Sequence, residues 1–227
     1  MYLCLYSGGD EIDNIDIDKK VLSLVKKKDP SVTYIPSCSY ASEHYFKDFV
    51  DHYKKIGITR FIHFAVDVPQ PEFMIEEAFK SDIIHLSGGN TYYFLKYLRK
   101  GQYLKKLKAF VKRGGILTGL SAGSIIMTPT IDTAGFPDFD KDDNEENVTN
   151  FKAMGLVNFE FFPHYKNSKR YDDELLKHSK KISSPLYACT DGSGIIVEKK
   201  ALTFYGKCFM FYQGKKVKLD TTSRLGL

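Results

Sequence analysis

The stretch GLSAG at 119–123 places Ser121 between two glycines, where an Ile- and Leu-rich run gives way to another apolar segment. In a G-x-S-x-G turn between a strand and a helix, the glycines permit a tight bend that exposes the serine hydroxyl at the carboxyl end of a sheet. The amide N–H of Ala122 is then suited to stabilise an oxyanion. We therefore expect Ser121 to be a nucleophile, with a plain packing turn as the alternative.

A second glycine turn occurs in the segment DIIHLSGGNTYYFLKYL, between an expected strand and an expected helix. Open α/β sheets bind ligands at this carboxyl edge. Glycines let backbone N–H groups approach a substrate, so we expect Gly88 or Gly89 to donate the second oxyanion hydrogen bond, with Asn90 as a neighbouring substrate-binding residue. A phosphate-binding loop is the rival interpretation, but the segment lacks both the G-x-G-x-x-G spacing and a Lys-Ser/Thr ending.

A serine nucleophile needs a general base, and His164 is the best candidate. It follows a strand-like run in FPHYKN, 43 residues after Ser121. The other five histidines fall in surface-like helices or in and near strands: His44, His52, His178, His63 and His85.

The base in turn needs a carboxylate on its other ring nitrogen. The acidic stretch DTAGFPDFDKDDNEENVTN lies between the serine and the histidine and offers several candidates: Asp132, Asp138, Asp140, Asp142, Asp143, Glu145 and Glu146. Composition alone does not choose among them. Poor in aliphatic residues, the stretch also predicts a long surface loop.

Short β-rich runs alternate with segments of helical period, which is typical of a three-layer α/β/α fold around a mostly parallel sheet. Strands are expected near 2–6, 32–36, 60–65, 82–86 and 115–119, and helices near 14–28, 41–56, 71–79, 91–99, 102–113 and 122–127. After the acidic loop, a strand leads to His164, YDDELLKHSKKI predicts a helix, and a C-terminal β-rich extension of hairpin-like strands comes last.

Length and composition favour one α/β domain spanning residues 1–227, with 43% hydrophobic residues to fill its core. The net charge of +5 is scattered in short runs, which argues against a nucleic-acid-binding face. The four cysteines lie far apart and without metal-ligand spacing: Cys4, Cys38, Cys189 and Cys208. With no signal peptide or membrane span apparent, we expect reduced thiols, a cytoplasmic location, and neither a metal nor a cofactor.

The motifs SGGNTYYFL, GLSAGS and NVTNFKAMGLVNFEFFPHYKN, in this order along the chain, resemble those of the aspartyl dipeptidase (dipeptidase E) and cyanophycinase family of serine peptidases. The resemblance runs from the first strand to about residue 198. It implies the class I glutamine amidotransferase-like, flavodoxin-like fold. It also implies a Ser-His-acid apparatus in which Ser121 is the nucleophile and His164 the base.

In that family the acid lies in the loop after the nucleophile, which points to Asp138, with Asp140 as second choice. The resemblance also implies oxyanion contacts from Gly88, Gly89 and Ala122. Substrates of that family are small peptides with an aspartyl residue at or near the cleaved bond, so the resemblance implies such substrates here. The cations that could bind such a carboxylate here come after the histidine: Lys166, Lys169 and Arg170.

We therefore expect a serine peptidase acting on small, aspartyl-containing peptides, with no nucleic-acid or membrane partner and a homodimer as the oligomer to consider. A glutamine amidotransferase would need a cysteine in place of Ser121. An α/β-hydrolase would place its histidine much nearer the end of the chain. A catalytically inactive, amidotransferase-like binding protein that keeps the serine turn remains the alternative.

Overall fold

Strands and helices alternate through the first half of the chain, as expected. The computed structural model describes residues 1–10 and 12–220 and the backbone of 224–226. The strands are β1 (Tyr2–Tyr6), β2 (Ser31–Ile35), β3 (Arg60–His63), β4 (Ile83–Leu86), β5 (Ile116–Leu120), β6 (Glu160–Phe162), β7 (Leu186–Cys189), β8 (Gly194–Glu198), β9 (Ala201–Tyr205), β10 (Cys208–Tyr212), β11 (Lys215–Leu219) and β12 (Arg224–Gly226). The helices are α1 (Ile15–Ser23), α2 (Ser42–Lys55), α3 (Glu72–Lys80), α4 (Thr91–Lys100), α5 (Tyr103–Lys112), α6 (Ala122–Met127) and α7 (Lys169–Ser179), with a 3₁₀ turn at Asp132–Gly135.

The main sheet has eight strands in the order β12-β9-β8-β1-β5-β4-β2-β3. The strands β1, β5, β4, β2 and β3 run parallel to one another, whereas the pairings β1–β8, β8–β9 and β9–β12 are antiparallel. The carboxyl ends of the parallel strands therefore meet at one edge, which is where ligand sites form in such sheets. The expected α/β fold with a large, mostly parallel sheet is confirmed.

Helices cover both faces of the main sheet. Alternate residues of a strand point to opposite faces, and in this sheet both sets are apolar and need covering. In β1, Leu3 and Leu5 pack in the core that includes residues of α3, α4, α5 and α6. Cys4 and Tyr6 belong to the opposite core, formed with residues of α1 and α2. The sheet thus forms the middle of three layers, and α1 and α2 lie together on one of its faces.

A second sheet, of four strands in the order β11-β10-β7-β6, is formed from the C-terminal part of the chain. Its β6 and β7 are parallel, joined through α7, and Phe162 of β6 pairs with Ala188 of β7. The hairpin-like series expected here is divided between the sheets: β8 and β9 extend the main sheet, while β10 pairs with β7 and β11 pairs with β10. Which sheet each strand joins depends on long-range pairing, which hydrophobic pattern does not encode.

Most expected elements agree with the structure to within a few residues. The exception is the helix expected at 14–28, since α1 already ends at Ser23. The lysines at 26–28 are exposed and offer no apolar side chain that could pack on the sheet. The acidic stretch after the 3₁₀ turn is a loop, as expected. The four cysteines are free thiols. Across the described part of the chain, none of the helices has the length and apolar character needed to cross a membrane.

Candidate active site

Ser121 occupies a strained turn between β5 and α6. Its backbone has φ 50° and ψ −108°, a conformation that costs a non-glycine residue about 1–3 kcal/mol and persists only where the surroundings impose it. A Cβ on Gly119 would lie 2.4 Å from the carbonyl carbon of Gly123, and a Cβ on Gly123 would lie 2.3 Å from the Leu86 oxygen. Both flanking glycines are therefore required by close packing, as the sequence suggests.

His164 lies directly beside the serine. Its Nε2 is 2.9 Å from Ser121 Oγ. The residue comes after β6 with a φ of 53°, and its backbone N–H donates to Ser7 Oγ at 2.8 Å. The structure thus brings together the two residues that the sequence singles out as nucleophile and base.

The carboxylate at the other ring nitrogen belongs to Asp191. Its Oδ1 lies 2.7 Å from His164 Nδ1. With an Nδ1–H donating to this carboxylate, the unprotonated Nε2 is free to accept the Ser121 hydroxyl proton. The side chains of His164 and Asp191 are 45% and 53% exposed, so a substrate can reach them.

Asp138, expected in this position, does not contact His164. Its side chain is 94% exposed and accepts a hydrogen bond from Lys141 Nζ at 2.9 Å, which lowers the pKa of the carboxyl group. Asp140, the second choice, accepts from the Tyr171 hydroxyl at 2.6 Å. The physical reason lies in the second sheet, where the neighbouring parallel strands β6 and β7 end side by side and bring the residues after them together.

Three amide groups are available to stabilise an oxyanion near Ser121. Among the described residues, the N–H groups of Ala122, Gly88 and Gly89 have no hydrogen-bond acceptor. A Cβ on Gly88 would lie 3.6 Å from Ser121 Cβ, which puts this turn beside the serine. The N–H of Gly123 donates to the Ser87 carbonyl at 3.2 Å and fixes the two glycine turns to each other.

Asn90 has a structural task. Its Oδ1 accepts the Tyr93 N–H at 2.9 Å as the N-cap of α4, and its Nδ2 donates to the Asp143 carbonyl at 2.8 Å. Both polar ends of the side chain are therefore committed. Asn90 borders a cavity beside Ser121, but hydrogen bonding to a substrate would require it to release one of these partners.

Sequence reasoning missed the turn after β1. Besides accepting from His164, Ser7 Oγ donates to the Cys189 carbonyl at 2.7 Å. A Cβ on Gly8 would lie 2.2 Å from Asp191 Oδ1 and 2.4 Å from His164 Cε1, so only glycine leaves room for the pair. The signal is present in the sequence, because YSGGD after β1 repeats the pattern of LSGGN after β4.

The model of Peptidase family S51 matches residues 3–205. A relative described as uncharacterized peptidase YgaJ, from Bacillus subtilis, is 25% identical over 190 residues, which cover 82% of this chain and 76% of that protein. Peptidase E of Salmonella arizonae is 36% identical over 95 residues, covering 41% of this chain and 38% of its own length.

Two solved structures share the fold. A putative peptidase E protein from Listeria monocytogenes superposes with a TM-score of 0.72 at 22% identity, covering 89% of this chain and 96% of that one. A peptidase from an acI-B1 actinobacterium gives a TM-score of 0.74 at 15% identity, covering 100% and 96%. At these identities the likeness shows the fold alone.

Proposed function

The chain belongs to peptidase family S51 and is a hydrolase of peptide bonds; on that premise we propose that it is a serine peptidase that cleaves short peptides through an acyl-enzyme on Ser121. The observation that carries the proposal is the continuous contact from Ser121 Oγ to His164 Nε2, at 2.9 Å, and from His164 Nδ1 to Asp191 Oδ1, at 2.7 Å. Both distances are those of hydrogen bonds that can transfer or orient a proton.

In the first step His164 Nε2 takes the proton of the Ser121 hydroxyl as its oxygen attacks the substrate carbonyl carbon. The imidazole becomes a cation, and the carboxylate of Asp191 stabilises it while holding the ring in the required orientation. The carbonyl oxygen becomes an oxyanion beside the N–H groups of Ala122 and Gly88 or Gly89. A preorganised donor of this type contributes about 3–4 kcal/mol to the transition state.

The tetrahedral intermediate collapses when the C–N bond breaks and His164 gives its proton to the departing amine. A water molecule then occupies the place of the amine. His164 takes a proton from this water, the resulting hydroxide attacks the ester carbonyl, and the Ser121 oxygen leaves with the proton returned by the imidazole. The exposed edges of His164 and Asp191 support entry of both the amine and the water.

Aspartyl dipeptides, implied by the family resemblance, remain a prediction. An aspartyl carboxylate bound beside Ser121 needs a cation. Of the three candidates, Arg170 lies with its guanidinium 3.4 Å from the centre of the Phe139 ring, and Lys166 and Lys169 are exposed to solvent. None of them borders the cavity that adjoins the oxyanion turn.

The test combines labelling and turnover. Wild-type protein should react covalently with a fluorophosphonate at Ser121 and hydrolyse members of a dipeptide library, and Ser121→Ala should do neither. Ser124→Ala is the matched control, because Ser124 lies in the same helix with its hydroxyl bonded to the Tyr6 and Gly119 carbonyls. Equal turnover by wild type and Ser121→Ala would exclude this mechanism. Absence of both labelling and turnover in folded wild-type protein would favour the inactive binding protein instead.

A further inference from the structure

A cavity of about 640 Å³ opens beside Ser121, within the size range of small-molecule sites. It begins at the oxyanion turn, where Gly88, Gly89 and Leu120 line it, and extends beneath α1 and α2. Ser121, His164 and Asp191 are not among its lining residues, and the cavity comes close to Ser121 through Leu120 and Gly88. Because the leaving amine must meet His164 to receive a proton, a cavity that adjoins the oxyanion turn lies on the acyl side of the scissile bond.

Aromatic rings form the inner wall of this cavity. The ring of Phe49 lies 4.9 Å from that of Tyr34 and 4.4 Å from that of Tyr53, measured between centroids. His85 stacks on Tyr34 at 5.7 Å with an interplanar angle of 15°. Such a wall offers ring edges and faces to another aromatic ring. Packing of the rings against one another keeps the wall in place without a ligand.

The charge of the lining is wrong for a carboxylate. Among the described residues that line the cavity, none is lysine or arginine, whereas Asp10, Asp18 and Asp48 are present. Of the two imidazoles, His85 is neutral, because burial lowers its pKa to about 3. His52 is already paired, with its Nε2 2.8 Å from Asp18 Oδ2.

The acids do not select a cationic side chain either. The buried Asp18 carboxylate also accepts the hydroxyls of Tyr6 and Tyr53, at 2.6 and 2.7 Å, so its hydrogen-bonding capacity serves the wall itself. Asp10 accepts two backbone N–H groups of its own turn. Asp48 is exposed and lies 3.6 Å from His44. The carboxylates of Asp10 and Asp18 thus have partners within the protein, whereas Asn14 Oδ1, also in the lining, is buried without a hydrogen-bond donor from the described part of the chain.

We propose that this cavity binds the side chain of the residue that supplies the scissile carbonyl, and that it selects an uncharged aromatic side chain over the carboxylate of aspartate. The inference rests on the proposed serine-peptidase function and names its substrate class. An aspartyl side chain placed there would lose its hydration without gaining a cation, whereas a phenyl ring would bury its surface against Tyr34 and Phe49. We expect a preference of about a hundredfold or more in kcat/KM.

The first experiment measures kcat/KM of the full-length protein for Phe-Leu, Tyr-Leu, Asp-Leu and Lys-Leu, which share a leaving group. The proposal requires Phe-Leu and Tyr-Leu to be cleaved about a hundredfold faster than Asp-Leu. An equal or higher value for Asp-Leu or Lys-Leu would overturn it. Diphenyl phosphonate analogues of phenylalanine and aspartate give a second readout, because they modify an activated serine without turnover.

These reagents separate two kinds of failure. If a plain fluorophosphonate labels Ser121 but the aspartate analogue reacts faster than the phenylalanine analogue, the specificity is wrong and the serine-peptidase function stands. If no reagent labels Ser121 in folded protein, the proposed function fails and the specificity fails with it.

A pair of variants in α2 tests the location of the subsite. Tyr45 is exposed and lines the cavity, whereas its neighbour His44 is exposed and does not. Tyr45→Arg should raise the ratio of kcat/KM for Asp-Leu over Phe-Leu by about tenfold, since it adds a cation at the cavity mouth. His44→Arg adds the same side chain outside and should leave the ratio unchanged. An unchanged ratio in Tyr45→Arg, or an equal shift in both variants, would contradict the placement.

Discussion

Two turns with nearly the same sequence, SGGD at 7–10 after β1 and SGGN at 87–90 after β4, lie at the carboxyl edge of the main sheet. We refer to them as the β1 turn and the β4 turn. In both, the side chain of the last residue accepts a hydrogen bond from a backbone N–H two or three positions further along the chain. Asp10 accepts from Ile12 and Asp13, and Asn90 accepts from Tyr93. Locally, the two turns are equivalent.

They differ in what their serines connect. Ser7 forms hydrogen bonds with Cys189, the last residue of β7, and with His164, which follows β6. Both strands belong to the second sheet. Ser87 accepts the Ser37 N–H at 2.8 Å and donates to the carbonyl of Gly88 within its own turn. The β1 turn therefore ties His164 to the main sheet, while the β4 turn holds its amides beside Ser121. The same local sequence takes a different role according to the strands that surround it.

The first glycine of each turn gives the largest expected difference. Gly8→Ala would force a methyl group into the space of the His164–Asp191 pair, so we expect kcat/KM to fall about a thousandfold while the protein stays folded. Circular dichroism checks the fold, and dipeptide hydrolysis checks the rate. Full activity in Gly8→Ala would show that the β1 turn does not position the base.

A methyl group on Gly88 would fit the fold without a clash. It would, however, project toward Ser121, where we expect the substrate carbonyl to bind. Its nearest neighbour would be Ser121 Cβ at 3.6 Å, so Gly88→Ala should keep the wild-type melting temperature and lower kcat by about 10- to 100-fold. Gly89→Ala is the contrasting variant. With a φ of +133° and Ser37 Oγ 2.0 Å from the added Cβ, it should lose about 1–3 kcal/mol of stability. Equal melting temperatures for the two variants would argue against this difference.

Removing each serine hydroxyl tests whether the two turns contribute equally to the free energy of unfolding. Ser7→Ala and Ser87→Ala each leave a backbone N–H without its acceptor, and each should reduce the free energy of unfolding by about 1–3 kcal/mol in urea denaturation. Ser7→Ala should in addition lower kcat/KM by about tenfold, because the freed backbone belongs to His164. A stability loss confined to one variant would show that the turns are not structurally equivalent.

An effect on stability alone is expected at His85, which stands two residues before the β4 turn. Burial lowers its pKa from 6.5 to about 3, so its contribution to stability is present above pH 6.5 and is lost as the pH falls toward 3. Between pH 7.5 and 5 the loss amounts to about 2 kcal/mol from this group. In His85→Gln the free energy of unfolding should depend less on pH by that amount. An identical pH dependence in both proteins would mean that His85 titrates normally.

Much of this architecture can be predicted from the sequence. The strands at 2–6, 83–86 and 116–120 and the turns after two of them carry local signals: aliphatic runs, glycine pairs and a serine between glycines. Ser121 stands out because a G-x-S-x-G turn between a strand and a helix needs glycines at fixed positions around the serine. His164 stands out because it follows a strand-like run and comes 43 residues after Ser121.

Asp191 cannot be found in this way. Its proximity to His164 depends on the parallel pairing of β6 and β7 across the α7 connection, and neither strand shows in its own residues which neighbour it will take. The acidic loop before His164 favours the wrong prediction because it holds many carboxylates. Such loops are rich in acids for solvation, and the exposed Asp138 is an example.

In the proposed mechanism Asp191, and not an acid of the loop before His164, orients the imidazole that activates Ser121. Asp191→Asn and Asp138→Asn make the same chemical change at the two positions, and kcat/KM for the best dipeptide substrate is the measurement. We expect a loss of about 10,000-fold for Asp191→Asn and a change within about twofold for Asp138→Asn. A large loss in Asp138→Asn with full activity in Asp191→Asn would contradict it.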